Sequence, residues 1–176
     1  NANGPGTYYL SFDATDAAGN VAATVTRTVT VTDSTKPVIT LTGDATVTHE
    51  AATAYTDAGA AWTDTLDGHG TLVAVGSVNE KSPRAYVLSY DFTDVAGNAA
   101  DQVTRTVTVV DTTKPVITLA GDAAVTHEAA TSYSDAGATW ADTLDGNGTL
   151  VASGTVNVNV PGAYVLSYDF TDAAGN

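Results

Sequence analysis

Hydrophobic and polar residues alternate one by one along several segments of this chain. Valine alternates with polar residues in Thr104–Val110 and in the earlier segment Val25–Val31. A period of two residues is typical of a β-strand that buries one face, whereas an amphipathic helix shows a period near 3.6. The pattern therefore predicts a β protein whose strands each turn one face toward a core.

Turn-forming residues divide the chain into short segments of this kind. Glycine, aspartate and asparagine, which favour turns, cluster at 43–44, 57–59, 67–70 and 94–98. The strands predicted between these turns are Val38–Thr42, Ala45–Ala51, Ala60–Thr65, Thr71–Val75, Ser77–Asn79, Ala85–Thr93 and Asn98–Asp111. Seven short strands within 78 residues predict an all-β sandwich.

The chain repeats itself with a period of 78 residues. Thr35–Asn98 aligns without a gap with Thr113–Asn176, and 50 of the 64 aligned positions are identical. Repetition at a fixed period indicates a tandem array of one unit. Residues 1–34 match the end of a unit, residues 35–112 form a complete unit, and residues 113–176 form a unit without its last strand.

The incomplete units at the two ends allow two interpretations. In the first, the sequence is an excerpt from a longer array. In the second, Val21–Asp33 of one molecule fills the strand edge left after Asn176 in the next molecule, because an unpaired edge invites strand addition. The expected partners are therefore neighbouring repeats of the same protein and, in the second interpretation, further copies joined head to tail.

Composition and charge exclude several classes of partner. The chain has 20 acidic and 6 basic residues, for a net charge of -14, and no cysteine. Nucleic acid binding relies on clustered lysine and arginine, whereas the basic residues here are scattered singly. The lack of cysteine excludes disulfides and thiolate zinc sites. No apolar run approaches the roughly 18 residues of a membrane helix, so we expect no membrane insertion.

A linear array with short linkers constrains which loops meet. Each unit must begin at one end and finish at the other, so it needs an odd number of full-length strands, and seven satisfy this requirement. In that order, the turn after the second strand and the hairpin between the last two strands lie beside the preceding linker. The carboxylates predicted to meet are Asp33, Glu50 and Asp94 at the first junction, and Asp111, Glu128 and Asp172 at the second.

Four motifs carry a resemblance to a known family, namely Asp111–Leu119, Tyr133–Ala138, Pro161–Tyr164 and Thr171–Asn176. In these segments the chain resembles the bacterial immunoglobulin-like repeats of large surface and secreted proteins, including hyalin-repeat-like domains and repeats of giant adhesins. The resemblance implies tandem immunoglobulin-like β-sandwich domains of about seven strands. It also implies a non-catalytic extracellular stalk or extender, stiffened in some relatives by calcium between domains.

The junction aspartates are the candidate ligands for that calcium. Ca²⁺ binds about six to eight oxygen atoms, so Asp94 would act together with Asp33, Glu50 and main-chain carbonyls. A structural role is also expected for Asp94, since an aspartate that begins a turn accepts backbone hydrogen bonds. The loops 64–70 and 142–148 lack the glutamate of an EF-hand loop, which favours ordinary glycine-rich turns there.

Histidine and tryptophan suggest two further functions. His49 and His127 are in phase with valines that face the core, so we expect them at the core margin, hydrogen-bonded, with no catalytic partner. Trp62 and Trp140 would suit a carbohydrate-binding accessory module if they were exposed, but a sandwich without disulfides needs large rings in its core. The sugar-binding module and a self-assembling fibre subunit remain the alternatives to a stalk.

Overall fold

The valine- and threonine-rich segments of alternating polarity form strands throughout the computed structural model, which describes residues 4–176. Within this range there are eleven strands and no helix. The strands are β1 Gly6–Phe12, β2 Val25–Val31, β3 Val38–Leu41, β4 Thr46–Glu50, β5 Ala60–Asp64, β6 Gly68–Leu72, β7 Ala85–Tyr90, β8 Val103–Val110, β9 Val116–Leu119, β10 Ala138–Asp142 and β11 Gly146–Leu150. The all-β prediction is confirmed, and the range contains no helix long and apolar enough to cross a membrane.

Contacts between residues divide the chain into two compact units. The first comprises the described part of Asn1–Ala45, with Asp57–Ser77 and Val87–Arg105, and the second comprises Thr46–Thr56, Val78–Tyr86 and Thr106–Asn176. The boundaries of these units fall inside the repeat of residues 35–112. They therefore do not test the repeat limits at 34/35 and 112/113, which stay predictions.

The first unit contains a hairpin and a three-stranded sheet. β1 and β2 pair antiparallel, from Gly6 opposite Val31 to Phe12 opposite Val25. β5 lies between β3 and β6 and is antiparallel to both. The side chains packed around its core are Ile39, Ala60 and Tyr90, with Leu41, Trp62, Leu72, Ala74, Phe92, Ala100 and Val103 at the margin. Burial of each large apolar side chain contributes about 1.5–3 kcal/mol.

The second unit contains a parallel pair that the sequence does not reveal. β4 pairs with β8 in parallel, from Thr46 opposite Thr106 to Glu50 opposite Val110. Its core cluster is formed by Ala51, Tyr86 and Val109, with Val78 and Leu144 packed against it. A separate sheet has the order β11, β10, β9, and all its strands are antiparallel.

The observed strands differ from the predicted ones in three places. β6 begins three residues before the predicted strand Thr71–Val75. The predicted strand Ser77–Asn79 is absent, and the nearest pairing is an isolated bridge between Val75 and Ser89. β8 begins only at Val103, because Asn98 still belongs to the preceding turn. Glycine and short polar residues therefore extend the turns further than their spacing predicts.

The direction of β4 is a further correction to the prediction. The second strand is predicted to end beside the linker that precedes the repeat. Because β4 runs parallel to β8, it ends at Glu50 beside Val110, where the chain leaves the repeat toward residue 113. The position of Glu50 at the following linker is a consequence of this single pairing.

Candidate functional site

A turn built by one aspartate closes the last hairpin of each repeat. The Asp94 carboxylate accepts hydrogen bonds from the Asn98 backbone nitrogen at 2.7 Å and from Asn98 Nδ2 at 2.8 Å. Asp172 makes the same two bonds with Asn176, at 2.7 and 3.0 Å. Asp94 and Asp172 are only 7% and 6% exposed. The structural role expected of Asp94 is confirmed.

The same turn also contacts the linker at the start of its repeat. Asn98 Nδ2 donates to the main-chain oxygen of Asp33 at 3.4 Å, and Asn176 Nδ2 donates to that of Asp111 at 3.1 Å. Each turn aspartate therefore lies near the linker aspartate that was predicted to accompany it. At the second junction the carboxylates of Asp172 and Asp111 are also close enough for their charges to interact.

A different aspartate, which the sequence analysis assigned to an ordinary loop, joins each junction. Asp142 ends β10, whose residue Ala141 pairs with Val116 just after the second linker. Oδ1 of Asp142 accepts hydrogen bonds from the backbone nitrogens of Leu144 at 2.7 Å and Asp145 at 2.9 Å. Asp64 occupies the equivalent place at the end of β5. The first strand of each repeat pairs with the third, as β3 does with β5 and β9 with β10. A sequence signal for this pairing would have placed Asp64 and Asp142 beside the linkers.

Four carboxylate oxygens at the junctions are buried without a hydrogen-bond partner among the described residues. They are Oδ2 of Asp33 and Asp64 at the first junction and Oδ2 of Asp111 and Asp142 at the second. Buried polar atoms of this kind are rare, since leaving water without a partner costs free energy. Their occurrence in equivalent pairs marks both junctions as chemically unusual.

The charges at the second junction repel one another. Burial raises the pKa of the Asp111 carboxyl, and the neighbouring carboxylates of Asp142, Asp172 and Glu50 raise it further. A hydrogen bond from the Thr113 backbone nitrogen opposes these effects without reversing them. Like charges that raise a carboxyl pKa show that the ionised form is destabilised at this place.

Glu50 belongs to the second junction and not to the first. Its carboxylate accepts hydrogen bonds from the Thr112 backbone nitrogen at 2.9 Å, the Thr112 hydroxyl at 2.8 Å and the Thr113 hydroxyl at 2.9 Å, and these bonds lower its pKa. The predicted grouping of Glu50 with Asp33 and Asp94 is therefore wrong.

The error has one physical cause, because the parallel pairing of β4 with β8 carries the end of β4 to the linker that follows its repeat. Glu50 is therefore a glutamate whose charge acts on Asp111. The grouping of Glu128 with Asp111 and Asp172 stays a prediction.

The unpaired carboxylate oxygens at the second junction are ligands that a hard cation prefers, although the side chains are not arranged as a cluster of three carboxylates. Among residues 4–176 no group of three or more histidine, cysteine, aspartate or glutamate side chains is arranged to hold a metal ion. Glu50 and Asp172 already use their oxygens in hydrogen bonds, which leaves Oδ2 of Asp111 and of Asp142. Unpaired carboxylate oxygens fit the chemistry of Ca²⁺, whose remaining ligands would be carbonyl or water oxygens.

The tryptophans occupy covered positions. The indole of Trp62 stacks on Phe92 with ring centroids 3.9 Å apart, and a Cβ placed on Gly70 would lie 2.6 Å from its Nε1. Trp140 stacks on Phe170 at 3.8 Å and lies over Gly148 in the same way. Each ring is enclosed between an aromatic side chain and a glycine backbone, which favours the packing role over a platform for sugars.

The histidines form local hydrogen bonds, as predicted. His49 Nε2 lies 3.0 Å from the main-chain oxygen of Thr53, and its ring meets that of Tyr55 edge-on at 5.2 Å. His127 and Tyr133 repeat the edge-on arrangement at 5.2 Å. Each ring lies between a turn and a tyrosine, so the expected hydrogen bonds are confirmed. His49 is half-buried, as expected at the margin of the core, whereas His127 is exposed.

Comparison with known proteins agrees with this architecture. The family described as "Bacterial surface protein, Ig-like domain" matches residues 39–109 and again residues 117–176, which together make up most of the chain. Hyalin of Strongylocentrotus purpuratus is 29% identical over 179 residues, an alignment that covers 94% of this chain and 15% of Hyalin. The chain thus spans only a small part of that relative's length.

A solved structure shows a weaker likeness. The lipoprotein BT2262 from Bacteroides thetaiotaomicron matches 48% of this chain and 45% of its own, with 24% identity and a TM-score of 0.37. Both family matches, by contrast, lie inside the two predicted repeats, 35–112 and 113–176. The expected immunoglobulin-like class of these repeats is confirmed.

Proposed function

Because the chain belongs to the family of bacterial surface immunoglobulin-like domains, we propose that it is a non-catalytic stalk or extender segment of a bacterial surface or secreted protein. The observation that carries this proposal is the identity of 50 of 64 aligned positions between two successive units. Each added copy of such a unit adds length while presenting the same surface again. The family description supports a location at the cell surface or outside the cell.

We also propose that calcium binds at the junctions between repeats. At the second junction Asp111 and Asp142 would hold the ion through their unpaired Oδ2 atoms, close to Glu50 and Asp172. Asp33 and Asp64 would act equivalently at the first junction, near Asp94. When bound, the cation would offset the repulsion between these negatively charged carboxylates.

The chain's own residues explain why such an ion would matter to a stalk. Asp111 lies in the second linker and Asp142 in the repeat that follows it, so an ion held by their carboxylates would tie the linker to that repeat. A site of about 10 μM affinity in about 1 mM calcium would add ~2.7 kcal/mol to stability. That amount is a large fraction of the roughly 5 kcal/mol of a small domain.

Thermal unfolding with calcium or with EDTA tests the ion site directly. We expect calcium to raise the melting temperature of the wild-type chain, and Asp111→Asn and Asp142→Asn each to remove much of that rise. In EDTA, Asp111→Asn should melt no lower than wild type, because it removes a carboxylate whose ionised form is destabilised by its neighbours. Asp122→Asn, which removes an equal charge from an exposed aspartate, is the matched control and should keep the full response.

The dependence of stability on pH provides a second test of the Asp111 carboxyl. The folded-state pKa of Asp111 lies above its ordinary value, so protonation of this carboxyl favours the folded chain. In EDTA the ionised carboxyl destabilises the fold at neutral pH, and this destabilisation should disappear as the pH falls through the raised pKa. Asp111→Asn should lack this contribution at every pH. An equal response to calcium in wild type, Asp111→Asn and Asp142→Asn would reject the ion site while leaving the stalk proposal to be judged by its own measurement.

A further inference from the structure

A small apolar cluster lies where the chain leaves the complete repeat toward the second linker. Its members Ala51, Tyr86 and Val109, called the end cluster below, are 3%, 8% and 2% exposed. Ala51 directly follows β4, and its backbone nitrogen donates to the main-chain oxygen of Val110 at the end of β8 at 2.7 Å. The end cluster therefore closes the core of residues 35–112 on the side that faces the next repeat.

Hydrogen bonds and a ring contact hold the end cluster in place. The Tyr86 hydroxyl donates to the main-chain oxygen of Ser82 at 2.8 Å, and the Arg84 guanidinium lies 4.6 Å from the centre of the Tyr86 ring. Next to Ala51, the backbone nitrogen of Ala52 donates to the main-chain oxygen of Glu80 at 2.9 Å. The cluster is therefore an ordered apolar surface.

A leucine from the following repeat packs against this surface. Leu144 belongs to residues 113–176 and is half-buried, and it contacts the end cluster from the same side as Val78 of the complete repeat contributes its own side chain. Apolar surface on both partners leaves water in such a contact, which stabilises the contact. Leu144 thus contributes to the core of a repeat that precedes its own.

The loop that presents Leu144 is fastened to its own repeat. Oδ1 of Asp142 accepts hydrogen bonds from the backbone nitrogens of Leu144 and Asp145, at 2.7 and 2.9 Å. Oδ2 of Asp145 in turn accepts one from the backbone nitrogen of Ala173 at 2.7 Å. Because the loop is already ordered, little conformational entropy is lost when Leu144 packs against its partner.

A polar contact acts on the linker at the same place. The carboxylate of Glu50, the residue before Ala51, holds Thr112 and Thr113 through three hydrogen bonds. The complete repeat therefore grips the linker through Glu50 and the following repeat through the end cluster. Two contacts at separate points restrain rotation about the linker more than one contact does.

The same parts recur at the first junction. Leu66 stands at the place equivalent to Leu144, and Oδ1 of Asp64 accepts a hydrogen bond from its backbone nitrogen at 2.7 Å. Leu66 and Val31, the counterpart of Val109, line one cavity. The division into compact units agrees with this arrangement, because the residues on the two sides of each linker belong to one unit.

We propose that each repeat completes the core of the repeat before it, and that Leu144 locks residues 113–176 onto the end cluster of residues 35–112. The partner of this apolar surface is the leucine loop of the following copy in the same chain, so the stability of one repeat depends on its successor. The use of the lock rests on the proposed stalk, in which it would hold a linker even without a bound ion.

Hydrogen exchange of single backbone amides, measured in EDTA, tests the lock. Its main readout lies in the repeat that carries no substitution. In Leu144→Ala the amides of Ala51, Ala52 and Val109, all of them hydrogen-bonded in the wild-type chain, should exchange about 10-fold faster, because the end cluster loses its apolar cover.

Two further variants of residues 113–176 serve as controls. Leu144→Met keeps an apolar side chain of similar volume, so exchange at the same three amides should stay within about 3-fold of wild type. Val151→Ala shortens a valine that is 94% exposed and should leave the complete repeat unchanged.

Three results would overturn the lock. The first is unchanged exchange at Ala51, Ala52 and Val109 in Leu144→Ala, and the second is an equal acceleration there in Val151→Ala. The third is faster exchange confined to residues 138–150, since Leu144 would then stabilise only its own loop. None of these results bears on the stalk, which is tested separately by the length of the molecule.

Discussion

At the scale of single residues, Arg105 shows that alternation can place a charged side chain inside the core. In the sequence it is one of several basic residues that stand singly, yet it is in phase with Val107 and Val109 and only 1% exposed. Burial raises the pKa of its partner Asp57, but hydrogen bonds from Tyr90 and Arg105 outweigh that effect and hold the pKa below its ordinary value. The pair is therefore ionised at neutral pH, and the stability it contributes is lost as the pH falls through the lowered pKa.

The identical segments around Arg27 and Arg105 allow a matched test of this role. Arg105→Gln leaves the partly buried Asp57 without its cation and should destabilise the chain by about 3 kcal/mol. Arg27→Gln changes the same residue in the same sequence context at an exposed position, so it should alter stability by less than about 0.5 kcal/mol. Urea unfolding measures both. Equal effects of the two substitutions would contradict the assignment of Arg105 to the core.

At the scale of elements, the period-two pattern located most strands of the complete repeat but not their partners. β3, β4, β5 and β7 lie within the predicted segments, because alternation depends only on which face of a strand is buried. The direction of β4 depends instead on which edge of β8 is free, and that is a property of the folded sheet. For this reason the sequence places Glu50 at the wrong linker, whereas the turns that begin at Asp94 and Asp172 contact the expected linkers through Asn98 and Asn176.

The cross-strand pair of Trp62 and Gly70 gives a prediction at this scale. Trp62 lies opposite Gly70 on the antiparallel pair β5–β6, and a Cβ at Gly70 would lie 2.6 Å from the indole nitrogen. Gly70→Ala should therefore push the indole away from Phe92 and destabilise the fold by about 1–3 kcal/mol. Near-ultraviolet circular dichroism and thermal unfolding together would detect the change.

A glycine without such a neighbour is the control for that substitution. A Cβ at Gly162 would meet its nearest atom, in Tyr164, at an ordinary 3.9 Å, and the preceding repeat has Arg84 at the equivalent place. Gly162→Ala should leave the dichroism of the tryptophans unchanged. If Gly70→Ala also left the dichroism and the melting temperature unchanged, the indole of Trp62 would not be confined between Gly70 and Phe92.

At the scale of the whole molecule, a repeated unit with a net charge of -14 over the chain must tolerate repulsion between its acidic segments. Self-repulsion between acidic segments weakens compact packing, and it is strongest where carboxylates are buried near one another, as at Asp111. A divalent cation at such a place neutralises more local charge than the same ionic strength of a monovalent salt. The proposed calcium sites would therefore act on the linkers between repeats.

Scattering experiments test the spacer role at this scale. Insertion of one further copy of residues 35–112 should lengthen the maximum dimension by a constant increment in calcium, because each unit continues the array. EDTA should broaden the distribution of lengths. Sodium chloride at matched ionic strength should not restore the narrower distribution seen in calcium. An added copy that left the maximum dimension unchanged would contradict the stalk, and a length distribution indifferent to EDTA would contradict only the ion.

The sequence by itself determined the fold class, the repeat and the turns, because alternation, identity and turn chemistry act over a few neighbouring residues. The odd number of strands also predicted that the turns at Asp94 and Asp172 lie beside the linkers at Asp33 and Asp111, which Asn98 and Asn176 contact. Only the tertiary structure decided that Asp64 and Asp142 complete the junctions and that Glu50 lies at the second of them. These positions depend on which strands pair across long sequence distances, and no local pattern in the chain encodes that choice.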